Sequence, residues 1–332
     1  MYNDEDLDAA VAAKVLSTES VQAFRQFITR QRQSQLNDEE HFRLLSGFND
    51  IFVAIAAMLF VGSMSWLGNL ITPLMGASFM LISSWLLAES FVRKRRLALP
   101  AIVLLVSFIG GVFWLSNSLL AYVIPYPSVL LLAAVVTLLA SYLHWRRFQV
   151  PITVATAVAF VLLAIISFMT EEPSLKPFLI PLFFLGGISS FIYAMWWDSQ
   201  DRYRQTRKSD VAFWLHLLAA PLIVHPIFTL IGIFDKNSGL LEISLVLLLY
   251  GVLGLISLAV DRRALMLSAL LYVLYALTRI LKLYGGLDMS FAIASVSIGG
   301  LLLVLSIFWH QTRSAVVQRL PLRYQQRLPA LQ

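Results

Sequence analysis

The chain has 332 residues, 59% hydrophobic and only 13% charged, with a mean hydropathy of +0.77, whereas soluble domains average about 45–50% apolar and about 25% charged. The excess runs evenly over residues 48–309, so it signals many membrane spans and excludes a soluble enzyme built on one core. The formal charge of +6 is concentrated at the ends of apolar segments, which is membrane topology rather than nucleic-acid binding, and zero cysteines exclude disulfides, thiolate metal sites and cysteine nucleophiles.

Residues 1–46 are polar. MYNDEDLDAA is acidic and lacks the basic n-region and apolar stretch of a signal peptide. LDAAVAAKVL and VQAFRQFITRQR predict two short amphipathic helices broken at STES, where Ser17 or Thr18 would serve as N-cap. Val21, Phe24, Phe27 and Ile28 fall on one stripe. This cytoplasmic helical region would pack on the membrane face, on a protein partner or on lipid headgroups.

Ten segments are long and apolar enough to cross about 30 Å of hydrocarbon. They are 48–68, 71–92, 98–119, 127–145, 150–169, 177–197, 211–234, 240–260, 264–283 and 289–309. The fold class is therefore all-α: a polytopic helical membrane protein with a ten-span domain at 47–310. Alternate connections are basic: Arg93-Lys94-Arg95-Arg96, Arg146-Arg147, DSQDRYRQTRKSD (198–210) and Asp261-Arg262-Arg263. The others, among them AYVIPYPS (121–128), DKNSG (235–239) and KLYGGLD (282–288), carry little or no basic charge. The tail at 311–332, with Arg319, Arg323 and Arg327, falls on the basic side. The positive-inside rule then puts both termini in the cytoplasm. Trp145, Trp196, Trp197, Trp214 and Trp309 at predicted inner ends, and Trp66, Tyr122, Tyr126 and Tyr284 at outer ends, sit where amphipathic rings meet headgroups. Gly110-Gly111, Gly186-Gly187, Gly299-Gly300 and Gly251-x-x-Gly254 would let helix backbones approach closely.

Headgroup contacts are expected from Arg93, Lys94, Arg95, Arg96, Arg146, Arg147, Arg262, Arg263, Arg319, Arg323 and Arg327. The tail RLPLRYQQRLPALQ, basic and interrupted by prolines, is expected to lie on anionic lipid rather than to fold.

Ionisable groups inside spans are costly and mark function unless a structural role explains them. Asp50 opens the first span, where a helix dipole favours an acid. Glu89 lies four residues before Arg93, the favourable order for an ion pair. Glu242 opens the eighth span, and Arg279 lies near the outer end of the ninth. The seventh span, WLHLLAAPLIVHPIF (214–228), carries His216, Pro221, His225 and Pro226. His216 lies about 7 Å and His225 about 21 Å into it at 1.5 Å per residue. Nine residues turn the two rings to opposite faces, so a regular helix cannot bring both to one metal. Pro221 and Pro226 free the carbonyls of Leu217 and Leu222, and interrupted helices of this kind line cavities in transporters. Two polar layers follow as an expectation: His225, Arg279 and Glu242 in the outer half, and His216, Asp50 and Glu89 in the inner third.

FRLLSGFNDIFV, with LDAAVAAKVLSTESVQAFRQFI before it, resembles the start of bacterial multi-pass inner-membrane proteins of unknown function, in which a short cytoplasmic helical region precedes the spans. FWLHLLAAPLIVHPIF is similar to segments of proteobacterial inner-membrane proteins. The resemblance covers the whole chain, implies a bacterial inner-membrane location and carries no activity.

Three functions stay open. The leading one is a carrier for a small solute or lipid, with a proline-broken seventh helix along its pathway. The others are a non-catalytic accessory or scaffold subunit that binds a protein partner through residues 1–46, and a membrane-embedded enzyme acting on a lipid-linked substrate. No metal site, no other cofactor and no nucleic-acid partner is expected. Lipids, and a small-molecule or lipid ligand, are the partners the pattern implies.

Overall fold

The computed structural model describes residues 11, 13, 15–24, 48–126, 128–204, 206–232, 240–285, 289–326 and 328–331. The chain divides into two contact units, Met1–Phe42 and Arg43–Leu331. In the first, residues 18–24 are helical and Ser17 is the cap: its hydroxyl accepts from the Ser20 amide at 3.1 Å. Val21 is buried and Phe24 exposed. Phe27, Ile28 and most of the remaining predicted helices lie outside the described residues, as do Arg327 and the connections at 233–239 and 286–288.

In the second unit every described element is helical. An apolar chain in lipid has no other way to pair its backbone within one span. The spans are α1 (Phe48–Asn69), α2 (Pro73–Ala88), α3 (Ala98–Leu120), α4 (Ser128–Phe148), α5 (Ile152–Glu171), α6 (Leu179–Ser199), α7 (Arg207–Ile231), α8 (Leu240–Val260), α9 (Ala264–Gly285) and α10 (Ser290–Ile307). A π-helical turn, Glu89–Lys94, extends α2, and a 3-10 turn, Pro173–Phe178, leads into α6. Two short helices follow, α11 (Trp309–Gln318) and α12 (Leu322–Gln325). Among the described residues ten helices meet the length and hydropathy of a membrane span, matching the ten expected segments.

Helices α1 to α5 pack in sequence around a core of Ala57, Val61, Leu104, Leu105, Phe108 and Ile109. A second core gathers α7 to α10 around Phe228, Ile243, Val246, Ala269, Val273 and Ile298. The joint between them is α7, which packs on α5, α6, α8 and α9. It is the most enclosed of the ten, with 56% of its most apolar stretch buried against 17–44% for the other nine.

The seventh span is not broken. α7 runs as one α-helix from Arg207 to Ile231 with Pro221 and Pro226 inside it, which corrects the expectation of an interrupted helix. The reason lies in its neighbour. Gly187 of α6 has no side chain, and a Cβ there would lie 2.8 Å from the Leu222 carbonyl carbon and 2.9 Å from the Ile223 nitrogen. The α6 backbone thus presses on α7 at the carbonyl that Pro226 frees, while a Cβ on Gly186 would meet Leu162 of α5 at 2.7 Å. This close α6–α7 packing goes with a helix that stays continuous through both prolines, because packing outweighs local helix propensity.

Candidate functional site

Where α6, α7 and the α8–α9 turn meet, three ionisable side chains are buried together. Asp198 ends α6, one residue before its last, and is 1% exposed. His216 and Ser209, seven residues apart, share one face of α7. Arg262 stands in the turn that joins α8 to α9 and is 3% exposed. Arg262 Nη2 donates to Asp198 Oδ1 at 2.7 Å and its Nε to Oδ2 at 3.4 Å. His216 Nε2 lies 3.0 Å from Asp198 Oδ2. An ionised carboxylate only accepts, so Nε2 carries the hydrogen and Nδ1 is the atom at which a further proton would add. Arg262 Nη2 also reaches the Ser209 carbonyl at 3.1 Å and its hydroxyl at 3.2 Å. Ser257 at the end of α8 donates to the Arg262 carbonyl. The Phe191 ring meets His216 edge-on at 5.0 Å, and Phe213 lies under the guanidinium.

A second cluster adjoins the first. Asp261, adjacent to Arg262 in the chain, takes Arg204 Nη1 at 2.8 Å and Trp309 Nε1 at 2.7 Å, and Arg313 Nε lies 3.5 Å from Oδ1. Burial raises the Asp261 carboxyl, but Arg204, Arg313 and the Trp309 hydrogen bond outweigh it, so the group titrates below the ordinary carboxylate value. Burial lowers Arg313 in the same place, against the attraction of Asp261.

This cluster holds Leu328, Pro329 and Ala330 of the tail. Arg313 Nη2 donates to the Pro329 carbonyl at 2.7 Å and Nη1 to Ala330 at 3.1 Å. Arg202 Nε donates to Leu328 at 2.9 Å, and the Ala330 amide returns a bond to the Arg202 carbonyl at 3.2 Å. Leu328 packs with Val260 and Val317. The tail therefore folds back onto the α6–α7 and α8–α9 turns rather than spreading on lipid, because these arginines are aimed at its carbonyls. Arg262 is likewise corrected: it is enclosed by Asp198 and Ser209 instead of reaching a headgroup. Arg93, Lys94, Arg95, Arg96, Arg146, Arg147, Arg319 and Arg323 are exposed, and Arg263 is half-buried.

The other sequence candidates are dispersed. Asp50 is buried in the first turn of α1, which packs on α2 and α3. Glu89 binds Arg93 at 3.2 Å, as its spacing foretold, and also Arg147 of α4 at 2.7 Å. His225 is exposed and its Nδ1 lies 2.7 Å from the Tyr272 hydroxyl. Arg279 donates to Tyr275 at 3.2 Å and is half-buried, as is Glu242. Pro221 is exposed and Pro226 buried. His225 thus pairs at the level of Tyr272, seven residues before Arg279, about 10 Å along α9, so the expected outer layer is staggered rather than level. The inner layer is divided among separate helix contacts, and the partner of His216 is Asp198, not Asp50 or Glu89.

Sequence reading missed Asp198, the pairing of Arg262, and a second buried histidine. His144 of α4 is 1% exposed, and neither ring nitrogen has a hydrogen-bond partner. Phe148, Phe108 and Trp85 surround it at 4.7, 5.4 and 6.2 Å. Among the described residues no three metal-binding side chains converge.

Ten apolar helices of spanning length, tied by a polar knot at one end, are the make-up of a multi-pass integral membrane protein. Beyond that class no comparison narrows the identity: no family model, no curated protein and no solved structure matches the chain.

Proposed function

We propose that the chain is a carrier for a small solute or lipid in a bacterial inner membrane, with both termini in the cytoplasm and α7 lining the pathway. The observation that carries this reading is the buried Asp198–His216–Arg262 trio where the central helix meets α6 and the α8–α9 turn. Apolar side chains of the same volume would hold these helices as well or better, so an ionisable trio there calls for a functional reason, and proton relays of carriers are made of such groups. The alternating basic turns support the orientation. In this reading α7 and α6 move as one body about the trio, and a proton on His216 Nδ1 tightens its bond to Asp198 and repels Arg262.

The test uses proteoliposomes loaded with the pH dye pyranine and doped with a fluorescent phosphatidylethanolamine. A pooled extract of bacterial small molecules is added outside under an imposed pH gradient, and lipid crossing is read by dithionite quenching in parallel. Wild-type protein should move protons or lipid faster than empty vesicles, and Asp198→Asn and His216→Gln should lose that rate while remaining monodisperse. No movement of either by the wild-type protein sinks the carrier reading. It would favour a scaffold subunit that binds a protein partner through residues 1–46, a second reading supported by the unbroken α7 and the strapped tail.

A further inference from the structure

A cleft of about 190 Å³ opens between α8, α9, α10 and the start of α11. Its walls are Met266, Leu267, Leu270, Leu302 and Leu305, with Tyr250 and Ser306 among them. At one end Arg263 lies over the Trp309 ring, its guanidinium carbon 4.6 Å from the centroid. This end is built rather than incidental: Trp309 is 3% exposed and is fixed by its bond to Asp261, which Arg204 and Arg313 hold in turn. α8 ends at Val260, α9 begins at Ala264 and α10 ends at Ile307, so Arg263 and Trp309 stand where three spans leave the apolar layer. From there Leu270 and Leu302 lie about 10 Å deeper, seven residues along each helix. Leu267 is 63% exposed, so the cleft is open on the side where lipid would lie.

We infer that this cleft is a resident site for one anionic glycerophospholipid. Each part of that molecule meets a matching group. The phosphate faces Arg263, which is half-buried and therefore holds a charge more strongly than an arginine in open water. An acyl chain lies along the leucines and Met266, where it replaces water or disordered lipid with apolar contact. An ester carbonyl supplies an acceptor for the Tyr250 hydroxyl, which is buried and has no hydrogen-bond partner within the protein. A buried donor left unpaired is costly, and a ligand that pairs it is favoured by that cost. The lipid is a structural resident rather than cargo, so the inference does not rest on the carrier reading.

The experiment is native mass spectrometry of protein released from vesicles of equal phosphatidylglycerol and phosphatidylcholine. Wild-type protein should retain one phosphatidylglycerol in preference to phosphatidylcholine. Arg263→Gln should lower that preference about fivefold, the effect of one basic residue near a membrane surface. Tyr250→Phe should lower retention of both lipids. Leu267→Trp, a change at an exposed position that fills the cleft, should block both while the protein stays folded and monodisperse. Equal retention of the two lipids, unaltered by Arg263→Gln and Leu267→Trp, overturns the site. So does retention of only a free fatty acid, whose carboxylate also suits Arg263, or of only a neutral lipid.

Discussion

The two halves of the bundle each bury a histidine near the end of a span, and they do so in opposite ways. In the α1–α5 half, His144 is boxed by Trp85, Phe108 and Phe148 and both nitrogens lack partners. In the α6–α10 half, His216 is bound into a carboxylate that also holds Arg262. The first arrangement leaves polar atoms unpaired, at about 1–3 kcal/mol, offset by aromatic contacts of about 0.5–1.5 kcal/mol each. The second satisfies its polar atoms, but only while all three members are present. One site loses no hydrogen bond with its histidine, whereas in the other the removal of any member leaves a buried polar group without its partner.

The largest expected effect follows from that asymmetry. Asp198→Leu leaves Arg262 buried without its anion and His216 without its acceptor, which should destabilise the protein by about 3–5 kcal/mol. The triple change Asp198→Leu, His216→Phe, Arg262→Met should regain most of it, since apolar packing replaces a buried ion network at little cost. Thermal unfolding in detergent, followed by intrinsic fluorescence, measures both. A triple variant as weak as Asp198→Leu alone would show that the knot is itself the source of stability. If the carrier reading holds, the triple variant folds and transports nothing.

A smaller effect is expected at the outer part of the knot. Asp261 titrates below the ordinary carboxylate value in the folded chain. Its contribution is therefore present in full above the unfolded value of about 4 and is lost only as pH falls through the lower folded value. Protection of the amides of residues 322–326, 328 and 330 against hydrogen exchange, relative to the intrinsic rate, should hold at pH 5 and fall below about pH 4. In Asp261→Asn the same amides should exchange fast at pH 7 and show no acid step. Protection that ignores the substitution would mean the tail is held by Arg202 and Leu328 alone.

His144→Phe should act in the opposite direction, raising stability by about 1 kcal/mol, because it keeps an aromatic ring and removes two unpaired nitrogens. The same change at His216 should destabilise. A His144→Phe protein that unfolds earlier than wild type would mean that His144 has a partner supplied from outside the chain.

Why the two histidines were unequally legible in the sequence is a matter of range. The ten spans could be read directly, since lipid demands about twenty apolar residues in a row and that is a local pattern. Glu89 with Arg93 was legible for the same reason, as four residues on a helix is a local distance. Asp198 is 18 residues from His216 and 64 from Arg262. It precedes a run of charged residues, so it read as the start of a loop, and Arg262 as one more basic turn residue. Only the packing of α6 on α7 and of α7 on α9 brings the three together. The prolines misled in the same way: their local effect on α7 is real, but the decisive neighbour is Gly187 on another helix.

The smallest expected effect compares the turns themselves. Arg96, Gln149, Arg204 and Asp261, one in each of the four basic connections, have positive φ of 56°, 51°, 53° and 59°. That conformation costs a non-glycine residue about 1–2 kcal/mol, and glycine relieves it while losing about 0.5–1 kcal/mol in chain entropy. In the first half Arg96 and Gln149 are exposed, so Gln149→Gly and Arg96→Gly should raise the unfolding temperature slightly or leave it unchanged. In the second half the same backbone is held by the Arg204–Asp261 ion pair at 2.8 Å, with side chains 11% and 14% exposed. There Arg204→Gly and Asp261→Gly remove a buried partner and should lower it. Four glycine variants melted side by side would expose the contrast: if the two pairs shift together, the strained turns are equivalent and the second half owes nothing special to its charges.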